Sequence, residues 1–217
     1  LLVFRDLGET KIIKKNKNTK SSASFINLFW EAKFWGYSFT LAFSAGTFFS
    51  FLGGAPYVAT KVYNLNSVVS GLVMGFPAAG YFIGNYLSGR YSKFYGIDYM
   101  ALRGILLVIF GMFICLVITV FYRDTPYFFF GLCSFVGLGN GLIIPNASVG
   151  ILSVNENLSG TAGGIGNAIM IGTGAILASL TSYYLENQTS SSYLVFIMLL
   201  SGALSYTSLY IFVLRNK

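Results

Sequence analysis

Hydrophobicity along the chain comes in six long runs, at about 34–58, 66–88, 99–121, 126–152, 158–184 and 193–213. Each is close to the roughly 20 residues that a helix needs to cross a bilayer's hydrocarbon core at about 1.5 Å per residue. The pattern predicts six membrane-crossing helices. The stretches between them are short, and short loops make successive helices antiparallel neighbours. One of these connections, G-N-Y-L-S-G-R-Y-S-K-F-Y-G from Gly84 to Gly96, carries Arg90 and Lys93 and marks a point where the chain surfaces and turns back.

Ahead of the first run the pattern changes. Residues 5–33 are polar and basic and include the low-complexity run K-K-N-K-N-T-K-S-S, the composition of a flexible linker. Phe25, Ile26, Leu28, Phe29 and Trp30 then suggest an interfacial approach, with Trp30 and Trp35 at headgroup depth. The expected organisation is a linker over 1–33 and a six-helix transmembrane bundle over 34–217. The chain starts at Leu1 and shows no signal peptide, so it reads as a piece of something longer.

Composition supports this reading. Hydrophobic residues make up 55% of the chain and charged ones only 10%, too apolar a balance for a soluble domain of 217 residues. The net charge of +7 does not point to nucleic acid, because the basic residues form no soluble face and the aromatics lie inside apolar runs. Their placement follows the positive-inside bias instead. With both ends assigned to the cytoplasm, twelve Lys and Arg fall inside and only Lys61 and Arg123 outside. Cys115 and Cys133 sit in apolar runs and read as small buried hydrophobes, not as a disulfide or a metal site.

Glycine is concentrated in the second, fourth and fifth runs, with small-residue pairs at Gly71/Gly75, Gly80/Gly84, Gly137/Gly141 and Gly160/Gly164. Close approach through small residues drives helix packing in lipid. The expectation is that these three helices are interior and that the third and sixth, rich in Ile, Leu, Val and Phe, face lipid.

Candidate chemistry is sparse. No acidic residue lies at the centre of a run and there is no histidine, so no proton carrier is apparent within this chain. A base, a nucleophile pair and a ligand cluster are equally lacking, so the chain is not read as an enzyme and no cofactor or metal is expected. What the glycine-rich helices offer is a set of aromatic, Met and amide positions at helical spacing. Phe48 and Phe51 on the first, Tyr81 on the second, Asn146 on the fourth, and Asn167 and Met170 on the fifth fit a cavity for an amphiphilic solute. Interhelical packing is the competing reading for each. Pro56 and Pro145 each remove a backbone hydrogen bond where a helix can kink or open. Asn187-Gln-Thr189 formally matches a glycosylation sequon.

Several of these stretches resemble one family. The Gly84–Gly96 hinge is similar to the C-terminal copy of the basic loop signature of the major facilitator superfamily. F-F-S-F-L-G-G-A-P-Y-V-A-T-K-V-Y-N-L-N, G-L-G-N-G-L-I-I-P-N-A-S and S-G-T-A-G-G-I-G-N-A-I-M resemble the corresponding segments of the Bcr/CflA-type drug/proton antiporters. Leu7-Gly8-Glu9-Thr10 looks like the L-P-E-T that follows the sixth helix there, with Gly in place of Pro. The resemblance implies an all-α membrane protein, the C-terminal six-helix half-bundle of a twelve-helix transporter, with residues 1–33 as the central cytoplasmic loop. It implies proton-coupled efflux of small amphiphilic compounds across the cell (inner) membrane by alternating access. The partners it implies are the lipid bilayer, a small-molecule substrate and an N-terminal six-helix half. Arg90 and Lys93 become cytoplasmic gate contacts, with Asp98 pairing with either in one of two states. The alternatives are a transporter of a metabolite such as a sugar or amino acid, and a non-transporting half-size remnant.

Overall fold

The computed structural model describes residues 27–122, 125–186 and 190–215. The basic run before residue 27, Arg123 and the Asn187–Thr189 sequon lie outside the described residues. Among the described residues six helices are long and apolar enough to cross a membrane: α1 Ala32–Val62, α2 Ser67–Tyr95, α3 Ile97–Phe121, α4 Pro126–Ser153, α5 Glu156–Leu185 and α6 Ser192–Leu214. No strand is present among the described residues. Buried backbone in hydrocarbon must satisfy its own polar groups, and helices do this within each segment.

Three local features depart from the sequence pattern. First, the Gly84–Gly96 hinge is helical almost throughout, because α2 runs on to Tyr95. The turn contracts to Gly96, whose φ of 84° only glycine adopts freely, and its amide bonds the Ser92 carbonyl at 2.9 Å. Second, α2 is broken at Met74–Gly75, between a short first piece Ser67–Val73 and the long second piece Phe76–Tyr95. Pro77 lies in the first turn of that second piece, where its missing amide proton is no loss to the new helix but gives the preceding turn one bond fewer. Third, Pro145 leaves α4 continuous, whereas α1 passes two residues after Pro56 into a π-helical turn, Val58–Val62, closed by Tyr63 N–H to the Val58 carbonyl at 3.0 Å. The next helix is started by Asn66, whose side chain accepts the Val69 amide at 2.8 Å.

The bundle is built around α1 and α4. α1 packs on α4, α5 and α6; α4 packs on α2 and α3; and α3 closes the ring against α6. In the apolar windows, 67% of α1 and 56% of α4 is buried, against 28% of α2 and 11% of α5. Of the three glycine-rich helices, α4 is therefore interior within this bundle, while α2 and α5 are the most exposed. The third and sixth are buried to 39% and 44%, more than expected for helices facing lipid alone.

Glycine explains the closest seams. A Cβ on Gly80, Gly84 or Gly137 would run into the backbone carbonyls of Ser134, Leu138 and Pro77, so α2 and α4 meet backbone to backbone. On another side of α4, Gly104 and Gly139 face each other, each Cβ position lying 2.6–2.7 Å from the other's carbonyl oxygen. Gly71, Gly160 and Gly164, by contrast, have open space where a Cβ would go.

Candidate functional site

Between α1, α2, α4 and α5 lies a cavity of about 350 Å³, lined by Ala45, Phe48, Phe49, Ala78, Tyr81, Asn140, Ile144 and Met170. Helical spacing places these side chains. Ala45, Phe48 and Phe49 are at i, i+3 and i+4 on α1, Ala78 and Tyr81 at i and i+3 on α2, and Asn140 and Ile144 at i and i+4 on α4. The lining is apolar and uncharged, with one phenol and one amide, a surface for a flat or flexible solute that carries few polar groups.

Asn140 is the fixed polar point. Its carbonyl oxygen accepts from the Ser44 hydroxyl, and its amide nitrogen donates to Thr47 Oγ1 at 3.2 Å. Thr47 in turn donates to the Ser44 carbonyl at 2.6 Å. A buried amide left unpaired costs about 1–3 kcal/mol, so this knot locks the side chain and holds α4 against α1. α6 is tied to α1 by similar means, with Ser201 Oγ donating to the Phe43 carbonyl at 2.7 Å and Ser205 Oγ to that of Thr40 at 3.0 Å.

The structure brings three of the residues expected in a cavity together: Phe48, Tyr81 and Met170. The other three lie elsewhere. Phe51 is buried behind Phe48, stacked on it at 6.4 Å and edge-on to Phe130 at 6.3 Å. It belongs to an aromatic plug with Phe129 and Tyr63. One helical turn from Phe48 on a steeply packed helix is enough to move it from the wall into the core. Asn146 is also buried, and its amide donates to Ser88 Oγ at 2.8 Å and to the Leu142 carbonyl at 2.6 Å, so it staples α4 to α2. Asn167 is exposed on α5, one turn before Met170. The residue that sequence reasoning passed over is Asn140. Its position between Gly139 and Gly141, in mid-helix, was the available signal.

At the end of the bundle that carries Gly96, the gate residues do not converge. Arg90 is exposed and donates to the Tyr86 hydroxyl at 3.2 Å, and Lys93 is exposed on the same helix. Asp98 points the other way. It is buried and accepts the Tyr37 hydroxyl at 2.6 Å, tying the start of α3 to the start of α1. The expected pairing of Asp98 with Arg90 or Lys93 is thus replaced, in this conformation, by a bond to Tyr37. The reason is rotational: the first turn of α3 presents Asp98 to the bundle, whereas Arg90 and Lys93 occupy the outer face of α2. The Tyr37 ring rests against Gly150 of α4, where a Cβ would lie within 2.5–2.7 Å of it.

Among the described residues no group of three His, Cys, Asp or Glu side chains is placed to hold a metal ion. Cys115 and Cys133 are both buried.

The family model of the Major Facilitator Superfamily matches residues 1–179, most of the 217-residue chain. Comparison with curated proteins finds no match. Six apolar helices with no strand among the described residues, a cavity between four of them and the extent of this match agree. The chain belongs to the major facilitator superfamily, a family of membrane transporters and not of enzymes.

Proposed function

We propose that the chain is the C-terminal half of a Bcr/CflA-type transporter that exports small amphiphilic compounds in exchange for protons. The half-bundle sits in the cell (inner) membrane with its Gly96 end cytoplasmic, as the distribution of Lys and Arg favours. It rocks against an N-terminal half around a midplane site. The observation that carries this reading is the uncharged cavity of Phe48, Phe49, Tyr81, Asn140 and Met170. A sugar or an amino acid needs dense polar or charged contacts, and this wall offers a phenol and one amide. Proton coupling is assigned to the other half, since the lining here holds no titratable carboxylate.

In this reading Phe48, Tyr81 and Met170 touch the solute, and Asn140, bonded to Ser44 and Thr47, fixes the wall that α1 and α4 form around it. Asn167 extends the lining toward the N-terminal half, while Phe51 and Asn146 stiffen the wall from behind. Arg90, Lys93 and Asp98 act at the cytoplasmic gate, with the Tyr37–Asp98 bond closing one of its two states. The test is efflux of a fluorescent amphiphilic dye from cells producing the full-length protein. Tyr81→Ala and Asn140→Ala are expected to bring dye retention close to that of cells lacking the transporter. Unchanged efflux in both variants, or protein-dependent uptake of a labelled sugar or amino acid without dye efflux, would sink the reading.

A further inference from the structure

The turn between α2 and α3 carries an array of side chains that the cavity does not use. Arg90 lies over the Tyr91 ring at 5.9 Å, and Tyr91 stands 6.3 Å from Tyr95. Tyr95 stacks on Tyr99 at 5.5 Å, and Arg103 lies over Tyr99 at 4.9 Å. Two guanidinium groups therefore bracket three phenol rings across Gly96, and all five side chains are exposed. Directly along α3 from Arg103 runs a groove of about 560 Å³, lined by Arg103, Leu106, Leu107, Ile109, Phe110 and Phe113. From Arg103 to Phe113 the helix rises about 15 Å, which is half of a hydrocarbon core of about 30 Å. The groove is thus one leaflet deep, with a cation at its headgroup end and aromatic rings at its inner end.

We infer that this groove is a binding site for an anionic phospholipid, its phosphate held by Arg103 and one acyl chain laid along Leu106, Phe110 and Phe113. Stacking on Tyr99 occupies the face of the guanidinium and leaves its in-plane N–H donors free, the geometry that matches phosphate oxygens in pairs. Charge selects the head. Arg90 and Arg103 lie on this surface, whereas Asp98, the acidic residue of the same stretch, is turned inward to Tyr37. A zwitterionic head would bring its own cation into this positive field, and an anionic one would not. Tyr91, Tyr95 and Tyr99 present amphipathic rings suited to headgroup depth. The leaflet concerned is the cytoplasmic one, which rests on the orientation proposed above; the site itself does not.

The test uses the full chain in nanodiscs of phosphatidylcholine, with Phe110→Trp as reporter and Trp30→Phe and Trp35→Phe to remove background. Brominated phosphatidylglycerol is expected to quench the introduced indole at a roughly fivefold lower mole fraction than brominated phosphatidylcholine. Arg103→Gln should abolish that preference. Tyr99→Leu, which keeps the charge and removes the ring beneath it, should weaken it and serves if the first variant does not fold. Equal quenching by the two lipids, or a preference unchanged in both variants, would reduce the groove to ordinary lipid contact. Loss of quenching on adding inorganic phosphate would mean that the site takes free anion, and would overturn the phospholipid as its ligand.

Discussion

α4 and α5 are both rich in glycine, and the bundle uses them in opposite ways. On α4, backbone carbonyls of neighbouring helices occupy the space where a Cβ would stand on Gly137, Gly139 and Gly141: Pro77 and Tyr81 from α2 and Gly104 from α3. On α5, Gly160, Gly164 and Gly172 meet nothing, while Gly166 and Gly174 on its other side touch Ile151 and Phe49. Glycine in a membrane helix thus states that a close approach is tolerated. It does not state that one is made by the same bundle. Within this chain α4 is the inner strut and α5 presents an open small-residue face.

The strongest way to break that comparison is to fill the glycines. Gly137→Leu forces a side chain into the Pro77 carbonyl and is expected to destabilise the bundle by about 3 kcal/mol or more, seen as loss of the monodisperse peak and a lower Tm in detergent. Gly164→Leu on α5 is expected to stay within about 0.5 kcal/mol of the parent. Equal damage from both would mean that α5 is as tightly packed as α4.

Asn140→Ala comes next. It takes the acceptor from the Ser44 hydroxyl and one donor from Thr47 Oγ1, which keeps its bond to the Ser44 carbonyl, at an expected cost of about 1–3 kcal/mol in thermal unfolding, and should loosen α1 against α4 around the cavity. Tyr37→Phe removes the donor to Asp98 at 2.6 Å and should cost about 1.5–3 kcal/mol, a range that overlaps the cost at Asn140. Asp98→Asn, which keeps an acceptor oxygen, should cost less than Tyr37→Phe by the same assay. The smallest effect sharpens the comparison most directly. Asn146→Ala on α4 removes the bond to Ser88 and should cost about 0.6 kcal/mol, whereas Asn167→Ala on α5 should leave the melting curve in place and, under the proposed function, lower dye efflux.

Much of the architecture was legible from the apolar runs, because a span of hydrocarbon has to be filled by about 20 apolar residues whatever packs around it. The pairs Gly80/Gly84 and Gly137/Gly141 were expected to be sites of close approach, and they are, against each other where α2 meets α4; Gly71 and the pair Gly160/Gly164 meet nothing. The candidate site was legible in part. Phe48, Tyr81 and Met170 do line one cavity, but Phe51, one turn from Phe48 on α1, and Asn146, on the same helix as the lining Asn140, do not. Periodicity fixes which residues share a face to within a turn. It leaves open which neighbour the face meets, and a contrast between apolar and polar faces cannot orient a helix that is apolar all round.

By itself, then, the sequence determined the class of solvent, the number of apolar spans and the superfamily. These depend on composition summed over whole segments, where single residues average out. Tertiary structure alone decided that α1 and α4 are the core and α5 the rim, that Asn140 is the cavity's polar anchor, that Asp98 faces Tyr37 and that Arg103 ends an apolar groove along α3. Those outcomes turn on a helix's rotation about its axis and on ångström-scale approaches between backbones, which no one-dimensional pattern encodes.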